Sequence, residues 1–227
     1  MNKRFRCVIA GWLLLMLCAC PGGRDEPHIR YYRLASGQSE NYLANQACQR
    51  FCDMVRRETD GAIQILPSFD NELGTDASAL EQCVYGGIDF VRTPISSAAA
   101  YAPQLAALQL PDEYNSDKHL FRVLDGAVGQ QVMASLKDKG LTGLSYFYAG
   151  YRCFFTTGKA ITSLDDMKDL RLGTEDSSQM KQVIPMWGAE AVTLPPDEIA
   201  LALRTGRIDG AESTLPAYVD SGYYQLA

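Results

Sequence analysis

Histidine is nearly missing from this chain. There are two in 227 residues, His28 and His119, far apart in sequence. Metal centres and acid–base sites use histidines at short, defined spacings, and neither residue sits in such a pattern. The seven cysteines match no zinc or redox spacing. No Lys/Arg-rich run stands out and the net charge is −6, so there is no basic face to neutralise phosphates; nucleic-acid binding is set aside. There is no phosphate loop and no nucleophile–base arrangement, so the chain reads as a non-enzyme without a cofactor. After the first twenty residues no apolar run is long enough to cross a bilayer. An acidic protein can still bind an acidic ligand if its basic groups converge in a cleft.

What is present begins with a targeting segment. Lys3, Arg4 and Arg6 precede a nearly unbroken apolar run from Cys7 to Cys18. The run is short for a membrane span and reads as a signal peptide over residues 1–19. Its end, Leu17-Cys18-Ala19-Cys20, resembles a bacterial lipobox, with Cys20 as the lipid attachment; a plain secretory signal is the alternative. Loss of the three basic residues takes the net charge from −6 to −9. Residues 20–28 form a polar tether. Of the later cysteines, Cys48 and Cys52 lie four apart on one helix. One of them bonding Cys83 and all remaining buried thiols are both open readings, with Cys153 further along.

With 47% hydrophobic and 21% charged residues the chain has globular composition, enough for one large domain or two small ones. Alternation predicts a strand over Ile29–Ala35, and helical spacing predicts a helix over Leu43–Glu58. A strand at Ile63–Ile65, a helix ending at Gly86-Gly87, and a short strand over Ile88–Val91 follow. Ser96–Pro111 is apolar and broken by prolines. One long helix is expected over Asp117–Lys139 and a strand over Leu141–Tyr148. This order favours an α/β fold with a parallel or mixed sheet.

From Gly150 the elements become shorter. Strands are expected at Arg152–Thr157, Leu170–Leu172, Ala191–Leu194 and Ile208–Glu212. Helices are expected at Ser163–Lys168, Ser177–Trp187, from Pro195 to Gly206, and over Leu215–Tyr224. Ser163 and Asp166 form a capping-box pair. A domain boundary is placed near Gly150. Arg152 stands among Tyr146, Phe147, Tyr148, Tyr151, Phe154 and Phe155. A cation among rings at a strand end suits a small anion; a surface arginine over core aromatics is the plainer alternative.

Several motifs carry a family resemblance. They are Asn71-Glu72-Leu73-Gly74 before Leu80-Glu81-Gln82, Gly87-Ile88-Asp89-Phe90, Leu124-Asp125-Gly126, and Thr157-Gly158-Lys159 with Asp166-Met167-Lys168. The densest runs from Glu198 through Ala202-Leu203 and Thr205-Gly206 to Ile208-Asp209-Gly210-Ala211-Glu212. The chain from Ile29 on resembles the DctP-like solute-binding proteins of tripartite ATP-independent periplasmic (TRAP) transporters. Glu40-Asn41 and Arg152-Cys153-Phe154-Phe155 look most like the branch that binds sugar acids.

The resemblance implies a two-domain periplasmic-binding-protein fold of type II kind, with hinge strands and a ligand cleft between domains. It divides the chain into 29–149, 150–211 and a return segment 212–227, after which the family continues and this sequence stops. It implies a carboxylate ligand and a membrane permease as partners, with membrane contact only through the lipid. Arg152 then faces the carboxylate, Ser213 stands where asparagine is usual, and Thr93, Pro94, Glu40 and Asn41 line the opposite wall. Tyr148 is taken as a ligand-stacking ring. Glu212 either bonds ligand hydroxyls or holds Arg152 in place.

One departure matters. The family's main carboxylate-binding arginine is expected at position 173, and this chain has Gly173. Arg171 shares its strand face and substitutes only if the strand shifts register. A carboxylate held by Arg171 or by Arg152 with the rings, a neutral or apolar ligand, and no ligand all stay open. The rival function is a sensory or partner-binding lipoprotein of the same fold.

Overall fold

The computed structural model describes residues 28–227. The expected signal peptide, Cys20 and most of the tether lie outside the described residues. The chain builds two α/β lobes, each around its own sheet.

In the first lobe three strands lie parallel in the order β2-β1-β3, with β1 Arg30–Ser36, β2 Ile63–Ser68 and β3 Phe90–Arg92. Helix α1 (Leu43–Glu58) connects β1 to β2 and α2 (Asp76–Val84) connects β2 to β3. Period-two alternation sends successive residues of β1 to opposite faces. Leu34 packs with Cys48 and Cys52 of α1, while Ala35 packs with Ala79 of α2 and Ile88. The sheet is therefore covered by one helix on each face. All four later cysteines are free thiols, which decides against a Cys83 disulfide. Burial pushes the Cys52 thiol up to about 11.

Short helix α3 (Ile95–Ala98) and a 3-10 segment, Pro103–Gln109, fill the apolar stretch after β3. The long helix expected over Asp117–Lys139 is broken. It forms α4 (Asp117–Leu124), α5 (Ala127–Ala134) and a 3-10 turn, Ser135–Lys139. At Gly126 the backbone turns extended, with ψ −173°. The next turn folds so tightly on α4 that a Cβ at Gly129 would lie 1.9 Å from the Leu124 carbonyl oxygen. The strand expected over Leu141–Tyr148 is absent. Leu141 and Tyr146 pack into the apolar cluster around Leu105 and Leu136, but no strand among the described residues pairs with the segment. A strand needs a neighbour for its backbone bonds, and none stands there.

The second lobe has a four-stranded mixed sheet in the order β4-β7-β5-β6. These are β4 Arg152–Thr156, β5 Arg171–Thr174, β6 Glu190–Thr193 and β7 Gly210–Thr214. Only β4 runs antiparallel, on the outer side of β7. Helices α6 (Ser178–Met186), α7 (Pro196–Arg204) and α8 (Leu215–Asp220) pack around it. One face buries Leu172, Ile184 and Met167; the other buries Ala211, Ile208, Leu203 and Tyr223. The Ser163/Asp166 capping box is formed. The 211/212 division falls inside β7, and the residues after it stay largely with the second lobe because Tyr223 belongs to its core.

Beyond the backbone crossings, two hydrogen-bonded contacts join the lobes among the described residues. Gln179 Nε2 donates to the Ala106 carbonyl at 3.0 Å, and Ser39 donates to the Asp220 carboxylate from both its hydroxyl and its backbone N–H.

Candidate functional site

One end of the second sheet carries an ion pair whose carboxylate is buried. Phe154 lies opposite Glu212 across β4 and β7, so Arg152, two residues away, projects on the Glu212 face. The Arg152 guanidinium grips Glu212 as a fork, Nε to one carboxylate oxygen and Nη2 to the other at 2.9 Å. Thr174 of β5 donates its hydroxyl to the same carboxylate at 2.9 Å. Glu212 is 2% exposed, while Arg152 keeps 35% of its side chain accessible. A buried carboxylate needs its charge met and its lone pairs filled, and these two residues do both. Burial on its own would lower the Arg152 pKa, but Glu212 and then Glu175 raise it above the usual arginine value.

An arginine held this way is aimed. Its Nε–Nη2 edge is committed to Glu212, and Nη1 makes no hydrogen bond or ion pair to the described residues. Glu175, just beyond β5, reaches Nη2 at 3.6 Å. In the first lobe Asp76, at the start of α2, accepts the Gly37 N–H at 3.2 Å. Burial raises the Asp76 pKa; Arg92 and the Gly37 N–H oppose this, and Glu175 adds to it. The Asp76 carboxyl thus feels charges from both lobes.

The other expected residues are dispersed. Arg171 sits at the opposite end of β5 and is occupied by Asp209, through Nε at 3.0 Å, Nη2 at 2.7 Å and its backbone N–H at 2.9 Å. That fork raises the Arg171 pKa and lowers the Asp209 pKa. No register shift brings Arg171 to position 173, because β5 pairs in register with both β6 and β7. Gly173 faces the apolar layer: a Cβ there would lie 2.8 Å from Ile208 Cδ1 and 3.3 Å from the Ala211 Cβ. Ser213 projects on that same face of β7 and is buried. Glu40 and Asn41 are exposed; Glu40 accepts from Gln49 of α1 at 2.9 Å, and the Asn41 carbonyl accepts from Gln46 at 3.0 Å. Pro94 begins α3, and Thr93 has a buried hydroxyl without a partner.

Tyr148 borders a cavity of about 210 Å³ with Tyr42, Arg50, Arg92, Phe147 and Pro216. Its hydroxyl donates to Asp117 at 3.0 Å, and burial together with that carboxylate pushes its pKa up to about 12. The cavity lies where the chain leaves the first lobe and where the last helix returns beside it.

A family model describing bacterial extracellular solute-binding proteins, family 7 (DctP), matches residues 34–227. The chain belongs to the DctP family. It is 29% identical over 187 residues to a solute-binding protein of Chromohalobacter salexigens, covering 82% of this chain and 56% of that protein. It is 27% identical over 181 residues to the 2,3-diketo-L-gulonate-binding periplasmic protein YiaO of Escherichia coli, covering 79% of this chain and 55% of that one. Among solved structures, a TRAP periplasmic solute-binding protein of Xanthobacter autotrophicus with bound β-D-galacturonate superposes with a TM-score of 0.82 at 31% identity. That match covers 86% of this chain and 65% of that one. One from Chromohalobacter salexigens with bound D-glucuronate gives a TM-score of 0.83 at 28% identity, over 86% and 65% of the two chains. The chain thus spans between half and two thirds of the length of these relatives.

Within this DctP fold, sequence reasoning passed over Gln38, Asp76, Arg92 and Glu175. Arg92 stands one residue before the Thr93-Pro94 pair that was singled out. Its position at the end of a parallel strand is a signal the sequence held, since ligands of open α/β sheets bind beyond the carboxyl ends of strands.

Proposed function

We propose that this chain is an extracytoplasmic solute-binding protein that captures a sugar acid or related small carboxylate and hands it to a TRAP-type permease. The observation that carries the reading is Arg152, aimed by a buried carboxylate and keeping one guanidinium nitrogen free, in a chain of the DctP family. A planar fork matches a carboxylate with two charge-assisted hydrogen bonds, and the remaining edge of Arg152 offers such donors. The lobes are divided near Gly150, and ligand capture proceeds by their closure. Export by the N-terminal signal and anchoring through a lipid on Cys20 belong to the same proposal. Thr93, Pro94, Ser213 and the Tyr148 ring contribute to the cleft wall; Glu212 acts by holding Arg152, and Gly173 by letting Ile208 pack against the sheet. For Glu40, Asn41 and Arg171 the contacts above support surface and structural roles.

A second reading draws on the cavity beside Tyr42, Phe147 and Tyr148, whose walls are largely apolar. A sensory lipoprotein with a neutral ligand would use such a space. Thermal-shift measurements against galacturonate, glucuronate, galactonate, succinate and uncharged galactose separate the two. Stabilisation by sugar acids and none by galactose is expected. A shift with neutral compounds alone favours the second reading and overturns the first.

A further inference from the structure

The first lobe has a crevice of its own. In the order β2-β1-β3 the chain leaves β1 toward α1 and β2 on one side and enters β3 from α2 on the other. Neighbouring strands whose connections diverge leave a gap at their carboxyl ends, the usual place for a ligand in an open α/β sheet. Ser36 and Arg92 are register partners at that gap.

Arg92 there differs from Arg152 and Arg171. It forms no ion pair among the described residues. Its guanidinium donates to the Gln38 side-chain oxygen and lies over the Tyr42 ring, 5.0 Å from the centroid. These contacts orient the cation without neutralising it. Two buried hydroxyls without partners, those of Ser36 and Thr93, flank the same strand ends, and Ser36 is 3% exposed. Buried polar atoms normally have partners, so two hydroxyls without partners among the described residues, beside an oriented cation that is in no ion pair there, mark a polar ligand's place. The cavity bordered by Arg92 is also bordered by Pro216, two residues after Thr214, and Thr214 is the register partner of Arg152, so the two arginines approach the same junction of the lobes.

We infer that Arg92 is a carboxylate-binding residue, so that the ligand's acid group is held between Arg92 of the first lobe and Arg152 of the second. This rests on the sugar-acid reading above. It supplies the second cation that Gly173 does not, from the opposite wall. Arg152 already pairs with two carboxylates, whereas Arg92 is in no ion pair among the described residues and keeps its guanidinium available to an anion. Because the two arginines belong to different lobes, the anion itself favours the closed arrangement.

Calorimetric titration of the full chain with D-galacturonate, beside D-galactose, tests this. Arg92→Gln is expected to weaken galacturonate binding about 10- to 100-fold, and Arg92→Lys to recover part of it, with an unchanged circular-dichroism spectrum. Arg57→Gln, at an exposed arginine in the last turn of α1 and away from the cavity, is the control and is expected to bind as the wild type. Wild-type affinity in Arg92→Gln overturns the assignment and leaves the sugar-acid reading standing. No binding of any acid by the wild type overturns both. If Arg92→Gln does not fold, Arg92→Lys decides: undiminished affinity for galacturonate overturns the clamp, because a lysine lacks the fork.

Discussion

The second sheet holds the same chemical pair twice, at opposite ends. Arg152–Glu212 and Arg171–Asp209 are both arginine forks on a carboxylate. They differ in burial. Glu212 is sealed under the sheet, whereas Arg171 and Asp209 keep 40% and 35% of their side chains exposed. A sealed carboxylate cannot fall back on water when its partner leaves, so the first pair is structurally obligatory. The second is a surface pair, screened by salt. The comparison also separates a positioned cation from an occupied one. Arg152 is fixed on one edge with Nη1 spare, while Asp209 takes the Nε–Nη2 edge of Arg171 and its backbone N–H as well, at the strand's other end.

The largest effect should come from breaking the sealed pair alone. Arg152→Met leaves Glu212 buried without a counter-charge, which costs about 3 kcal/mol, the low end for such pairs because Arg152 is partly wet. That corresponds to a melting temperature lower by about 6–12 °C in a chain of this size, read by calorimetry. Adding Glu212→Gln to that variant removes the lone charge and should recover much of the loss. Equal stability of Arg152→Met and wild type would erase the contrast between the two pairs.

Thr174→Val comes next. It deletes a hydrogen bond to a buried carboxylate and should cost about 1.5 kcal/mol in urea unfolding. The change keeps the shape of the site, so a loss well beyond this would mean that Thr174 does more than fill a lone pair of Glu212.

The smallest effect belongs to Asp209→Asn, under about 1 kcal/mol and shrinking as salt is added. Its pH dependence has a definite sign. The folded Asp209 pKa is depressed by Arg171. Its contribution is therefore present above the ordinary aspartate pKa of about 3.9 and fades as pH falls through the lower folded value. Melting curves from about pH 7 to about pH 3 should show the wild type losing its small advantage over Asp209→Asn only at the acid end.

The same contrast explains what the sequence disclosed. Helix α1 was legible to the residue, Leu43–Glu58, because its apolar spacing is local. The four strands of the second lobe were legible to within two residues for the same reason. The strand expected over Leu141–Tyr148 has the right pattern but no neighbour, and pairing is not written in the strand itself. The break at Asp125-Gly126 was visible as a glycine, yet the apolar stripe continued through it. At the site, Arg152 stood out by its aromatic company, and Glu212 by its place in a motif. Arg92 had no local signal beyond its position at a strand end. Its part became visible only when the register placed it opposite Ser36 and the fold brought its guanidinium to Gln38 and the Tyr42 ring. The Gly173 departure was legible as an absence, but its side of the sheet was not: the residue faces Ile208 and Ala211.

In the proposed function a carboxylate is met by the edge of Arg152 that Glu212 does not occupy. Arg152→Lys keeps a cation beside Glu212 and removes the planar fork, so the fold should persist while a carboxylate loses its matched donors. Titration of D-galacturonate into this variant and into the wild type is the direct measurement. A loss of about 10-fold or more with a retained melting transition is predicted. Equal affinity in the two proteins would contradict it.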